Sequence, residues 1–166
     1  MTKRIKIYLD TSVINFLFAD DAPELKQITI DLFENFIKTQ IYETFISEIV
    51  IAEIMDTTQE RKRTQLLTVI EDYPIELIEY EKGQRSEIQN LANHYLREGI
   101  IPAKKEADAL HVGVSVVFSV DYLVSWNYKH LANVNRENRI RAVNIENNYI
   151  HDLRIIIPIE LLDYES

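Results

Sequence analysis

Five short apolar, β-favouring runs punctuate this chain, at 5–9, 43–46, 75–78, 122–126 and 155–157, and each is separated from the next by a helical or polar stretch. No Asn-Gly or comparable two-residue turn joins any two of them. Strands that do not close as hairpins run parallel and are joined by crossovers, so the pattern points to an α/β domain with a central, mostly parallel sheet flanked by helices. With 166 residues and no internal repeat, low-complexity tract or linker, a single domain spanning 1–166 is the economical organisation.

The connecting stretches carry helix signals. Leu25, Ile28, Leu32, Phe33, Phe36 and Ile37 recur at helical spacing over 24–39. Ser47 is placed to cap a helix running to Met55, a second helix spans 58–72 ahead of Pro74, and a third, 83–98, stops at Gly99. From Lys104 to Ser119 the apolar residues are nearly continuous, which predicts a helix buried on most faces. A polar segment opens at Asn127, and a helical turn follows the last strand.

Composition removes several kinds of chemistry. The absence of cysteine excludes thiolate nucleophiles, CxxC redox chemistry, iron–sulfur clusters and cysteine zinc sites. Glycine occurs only at 83, 99 and 113, so neither a P-loop nor a GxGxxG turn can be written. No apolar run approaches the roughly 20 residues that span a bilayer, and too few apolar residues precede Asp10 for a signal peptide, so a cytoplasmic protein without a membrane partner is expected. Eighteen basic residues against 27 acidic ones leave a charge of -9, which repels polyphosphate at long range and disfavours a protein that merely coats nucleic acid.

In a parallel α/β sheet, functional groups collect beyond the carboxyl ends of the strands, and Asp10 and Asn127 both fall there. An Asp after a strand also serves as a turn former or helix cap, so its company decides. Glu53 follows Ile49 and Val50 by one helical turn, which sets its carboxylate on or beside an apolar face; it needs a cationic partner or a cleft holding a metal. Glu48 projects about 140° away, toward solvent. Asp108 shares a narrow polar stripe with Lys104, Lys105, His111 and Ser115, and either pairs with a lysine one turn back or faces the same cleft. Three inward carboxylates repel one another unless a divalent cation or protonation neutralises them, and an all-oxygen set suits Mg²⁺ or Mn²⁺ better than zinc. His94, His111, His130 and His151 form no HxH or HExxH pair, but His111 is spaced to share a role with Asp108. Serine chemistry lacks a GxSxG elbow, and the aspartyl-phosphate pattern of the haloacid dehalogenases fails at Ser12.

Leu-Asp-Thr-Ser at 9–12, Ser47 followed by Glu53, Glu-Ala-Asp-Ala-Leu-His at 106–111 and Leu-Val-Ser-Trp-Asn at 123–127 together resemble, in order and spacing, a PIN domain over nearly the whole chain. The resemblance implies a three-layer α/β nuclease, many of whose relatives are toxins of VapC-type toxin-antitoxin pairs. It implies that Asp10, Glu53 and Asp108 are catalytic, metal-binding carboxylates, with Ser12 and Ser125 as hydroxyls near the site. Asn127 stands where many members carry a fourth acid; an amide oxygen coordinates without adding charge, so three acids would hold Mg²⁺ or Mn²⁺ more weakly or hold fewer ions. Asp121 precedes its strand and lies at the wrong end to substitute.

The implied reaction is metal-dependent hydrolysis of RNA by an endoribonuclease; the alternative is a catalytically weak or inactive PIN-like module that binds RNA or protein. Implied partners are an RNA substrate, a small antitoxin protein and a second copy in a homodimer. For the dimer, either the apolar 28–37 stretch or 155–162 offers a surface, unless both belong to the core. Between Tyr122 and Ile145, Lys129, Arg136, Arg139 and Arg141 are opposed only by Glu137, a local charge of +3. The segment is either a solvated loop and helix or a phosphate-contacting rim beside Asn127, with Lys129 as a substrate contact and Tyr128 and Trp126 available for stacking. Trp126, inside a strand, suits the core better.

Overall fold

The computed structural model describes residues 3–127, 129 and 131–162. Its strands are β1 (Lys6–Leu9), β2 (Glu43–Ser47), β3 (Ile75–Ile78), β4 (Tyr122–Val124) and β5 (Arg154–Ile156). They form one sheet in the order β3-β2-β1-β4-β5, every pairing parallel. Helices α1 (Thr11–Asn15), α2 (Pro23–Leu32), α3 (Glu48–Met55), α4 (Glu60–Asp72), α5 (Lys82–Arg97), α6 (Glu106–Val117), α7 (Val134–Glu146) and α8 (Ile159–Leu162) complete a three-layer α/β arrangement, the fold class expected from the strand pattern.

Local chemistry explains the elements that position the site. Ile7, Tyr8 and Leu9 are completely buried, because the middle strand of a parallel sheet is covered on both faces. Ser47 leaves β2 in an extended conformation, and its Oγ accepts the Ile49 N–H at 3.2 Å, the expected cap on α3. A capping box between Glu81 and Gln84 opens α5. Gly99 at φ 69° ends it, with Gly99 N–H bonded to Leu96 O and Ile100 N–H to Tyr95 O in the Schellman pattern.

Some boundaries differ from the sequence reading. Thr11–Asn15 is helical where a polar turn is expected, since Asp10 supplies a cap that a five-residue segment cannot advertise by periodicity. The 24–39 helix divides into α2 and a turn of π-helix, Phe33–Ile37, in which Lys38 N–H reaches Phe33 O at 2.8 Å. Helix α6 begins at Glu106, because Lys105 has non-helical dihedrals. Strand β4 stops at Val124, and the Trp126 N–H is diverted to Ser12 Oγ at 2.9 Å. Of the two stretches considered as dimer surfaces, Leu32, Phe33, Ile37, Ile155, Ile156 and Leu161 are buried within this one chain, whereas Ile28 and Leu162 are half-buried and Ile159 is exposed. No helix among the described residues is long and apolar enough to cross a membrane.

Helices α5 and α6 approach closely at Gly113, where an added Cβ would lie 2.9 Å from Ile88 O and 3.2 Å from its Cγ2. A backbone oxygen cannot step aside alone. Gly113→Ala should therefore destabilise by about 1–2 kcal/mol, overpacking outweighing alanine's better helix propensity. Urea denaturation checks this; an unchanged or raised midpoint would show that the helices separate at no cost.

Candidate active site

The sheet grows from β1 toward β2 on one side and toward β4 on the other, and such a switch point opens a crevice beyond the strands' carboxyl ends. Asp10 follows β1, Ser125 follows β4, α3 carries Glu53 away from β2, and Asp108 lies in the first turn of α6. These elements converge on a cleft lined by Asp10, Thr11, Ser12, Asn15, Glu53, Thr57, Asp108, His111 and Asn127.

Asp10 is 3% exposed and fills both of the roles open to it in the sequence. As the cap of α1, its Oδ1 accepts from Ser12 N–H at 3.0 Å and from Ser12 Oγ at 2.5 Å, and it also fronts the cleft. Burial pushes its pKa above the ordinary carboxylate value, against the opposing pull of His111, Ser12 and Ser125, while Glu53 adds to the rise. Ser125 is fully buried, its Oγ accepting the Asn127 N–H at 2.9 Å. Asn127 in turn donates from Nδ2 to Asp108 Oδ2 at 2.9 Å. Neither Lys104 nor Lys105 forms an ion pair with Asp108 among the described residues, so the amide is its direct partner. Burial, and then the charge on Asp10, raise the Asp108 pKa to about 6.

Glu53 is hydrogen-bonded to His111, whose Nε2 lies 2.7 Å from Oε1; Thr11 Oγ1 donates to the same oxygen at 2.6 Å. Burial pushes Glu53 upward, but the His111 and Thr11 hydrogen bonds outweigh it and hold the carboxyl below its ordinary value. His111 is 1% exposed, and its Nδ1 lies 2.7 Å from the Tyr8 hydroxyl. It thus serves Glu53 directly, rather than Asp108 three residues before it. Thr11 and Tyr8 escape sequence reasoning, although a tyrosine inside a buried strand signals a hydroxyl that must find a partner.

Two arginines of the basic segment have partners within the chain. Arg141 pairs with Asp152 at 2.9 Å, and Arg139 donates to Glu98 O at 3.2 Å. Glu137 is buried beneath them, where it accepts the Ile155 N–H at 2.6 Å. These arginines link α7 to the end of α5 and to the segment before β5. Lys129 is exposed on the loop past Asn127, outside the cleft wall, and its carbonyl accepts from Asn133 and Arg136. Trp126 is core, with Nε1 donating to Thr29 Oγ1 at 2.9 Å. Tyr128 and His130 lie outside the described residues. Asp121 sits at the opposite end of the sheet, accepting from Lys6 N–H at 2.8 Å, and is no fourth acid.

Among the described residues no group of three or more His, Asp or Glu side chains is drawn together in metal-holding geometry. Each carboxylate is instead engaged by its own neighbours. The donor set nevertheless fits a hard divalent cation in its chemistry: all oxygen, with Asp10 and Asp108 held above their ordinary pKa values by burial and by neighbouring acids. A cation among them would relieve that repulsion.

No protein-family profile and no curated protein matches the sequence. Solved structures do match the fold. One is a chain of VapBC2 from Rickettsia felis bound to a DNA fragment from its promoter, with a TM-score of 0.54 at 16% identity over 92% of this chain and 98% of that one. Another is VapBC-1 from nontypeable Haemophilus influenzae, with a TM-score of 0.53 at 16% identity over 93% and 99%. These are toxin-antitoxin complexes whose VapC component is a PIN-domain protein, and at such identity the likeness is one of fold alone. The ordered sequence motifs and the architecture therefore agree: this chain folds as a PIN-like domain.

Proposed function

We propose that this chain is a Mg²⁺- or Mn²⁺-dependent endoribonuclease, acting as the toxin of a toxin-antitoxin pair. The observation that carries the reading is the placement of a buried carboxyl, Asp10, and a half-buried one, Asp108, in one cleft at the switch point, both pushed toward the neutral form. The shared fold with VapBC complexes supports a small antitoxin as partner. Bound in the cleft, the cation would supply charge neutralisation and Lewis acidity for hydrolysis of an RNA phosphodiester. Asp10 and Asp108 would hold it, the first fixed by Ser12 and the second by Asn127. Glu53 would join them or orient the attacking water. Ser12 and Asn127 line the approach, and Lys129 would meet phosphates arriving over the adjoining loop.

A second reading, a PIN-like module that binds without cutting, is favoured by Asn127 and by carboxylates that do not yet converge. Titration of Mn²⁺ into wild type and Asn127→Asp separates the two. The variant loses the amide donor and gains a fourth acid against Asp108. It should bind Mn²⁺ about tenfold more tightly and, without metal at neutral pH, be destabilised by about 1–2 kcal/mol. Calorimetry and thermal melts report both. If neither protein binds Mn²⁺ or cuts RNA, the binding module prevails.

A further inference from the structure

Behind Glu53 runs a buried chain of hydrogen bonds. Ser47 Oγ lies 2.6 Å from the Tyr8 hydroxyl, that hydroxyl 2.7 Å from His111 Nδ1, and His111 Nε2 2.7 Å from Glu53 Oε1. Ser47 and Tyr8 are fully buried and His111 is 1% exposed, so water is not on hand to complete an unmade bond. The chain links β2, β1, α6 and α3, and only its Glu53 end lines the cleft together with the edge of His111.

Its direction follows from counting hydrogens. A carboxylate only accepts, so His111 Nε2 must carry a hydrogen to bond Glu53. If Nδ1 is bare, it accepts from Tyr8, Tyr8 accepts from the Ser47 hydroxyl, and every hydrogen in the chain has an acceptor. If Nδ1 also carried a hydrogen, Tyr8 would receive it and pass its own to Ser47. Ser47 Oγ already takes the Ile49 N–H at 3.2 Å, and its own hydroxyl hydrogen would then have no acceptor among the described residues. That arrangement buries an unsatisfied donor, which is costly.

At the far end, Glu53 Oε1 takes both the His111 and the Thr11 hydrogens. Oε2 has no hydrogen-bond partner among the described residues. We propose that Glu53 fixes the hydrogen on His111 Nε2 while Tyr8, oriented by Ser47, keeps Nδ1 bare, and that His111 is thereby a positioning residue that pins Glu53 through Oε1 and leaves Oε2 as the single oxygen offered to the cleft. The kinetic consequence rests on the nuclease reading; the tautomer does not.

The ¹⁵N spectrum of His111 in the metal-free wild-type chain is the first test. Nδ1 is expected at the shift of a bare nitrogen and Nε2 at that of a protonated one. In Tyr8→Phe the ring remains but the donor is gone: Nε2 should stay protonated against Glu53, while Nδ1 loses its hydrogen bond and moves toward the shift of a free bare nitrogen. Two protonated nitrogens in wild type, or a hydrogen on Nδ1 alone, would overturn the proposal.

Mn²⁺-dependent cleavage supplies the second test. His111→Leu should lower kcat about 10–100-fold, and Tyr8→Phe by less, with KM for RNA unchanged, as for other residues that orient a metal-site group. His111→Gln, whose amide N–H replaces the Nε2 donor, should recover most of the loss. Equal losses in the leucine and glutamine variants, or a loss confined to KM, would overturn the positioning role. A wild-type chain that cuts no RNA with either metal defeats the nuclease reading, and the paired spectra of wild type and Tyr8→Phe still decide the tautomer.

Discussion

Asp108→Asn is expected to abolish metal-dependent RNA cleavage, by at least about a thousandfold, while making the metal-free protein more stable at neutral pH. The two effects have one cause. Burial and the charge on Asp10 raise the Asp108 pKa from the ordinary 3.8 to about 6. Because the folded value lies above the unfolded one, the stability this group contributes is fully present below 3.8 and is lost as pH rises through about 6. Asparagine keeps an oxygen for the Asn127 amide but carries no charge, so it does not lose that contribution. The shift alone corresponds to about 3 kcal/mol, and partial exposure of the side chain lowers the expected gain to about 1–2 kcal/mol at pH ~7.5. Urea unfolding in EDTA at acid and neutral pH checks it: wild type should fall relative to the variant as pH rises. A variant that is less stable at neutral pH would mean that Asp108 holds the fold together rather than burdening it.

Asp10→Asn should remove cleavage to a similar extent, at a stability equal to or above wild type. The amide oxygen still accepts from Ser12, and Asn caps a helix about as well as Asp. Asp10→Ala separates the two roles of this residue. It removes the charge and also the cap, leaving the Ser12 N–H and hydroxyl without their acceptor, and should cost about 1 kcal/mol or more in addition. Cleavage assays and denaturation midpoints on both variants give the comparison. Wild-type cleavage by Asp10→Asn would take the end of β1 out of the reaction.

The parts of this site that can be read in sequence are those whose signals are local. Asp10 follows a β run, Glu53 and Asp108 interrupt apolar helices, and Ser47 precedes a helical pattern at capping distance; each needs only a few neighbouring residues to be noticed. The rest depends on partners far away in the chain. The Thr11 acceptor lies 42 residues on, and the two partners of Tyr8 lie 39 and 103 residues away, so only the parallel register of β1 beside β2 and the docking of α6 bring them together. The partners of the basic segment are hidden for the same reason. Four cations close in sequence look like a surface stripe, yet Arg139 and Arg141 find Glu98 and Asp152, which belong to other parts of the fold. The fold class was legible because period and punctuation are repeated five times, whereas α1 has too few residues to show a period at all.

On the proposed function, the acidic cleft cuts RNA only when it holds a divalent cation. The most direct measurement is cleavage of single-stranded RNA by the purified chain with Mg²⁺ or Mn²⁺, with excess EDTA, and with Asp108→Asn under the same conditions. Cleavage is expected in the first case and none in the other two. Wild-type cleavage that persists in excess EDTA, or survives in Asp108→Asn, would contradict it.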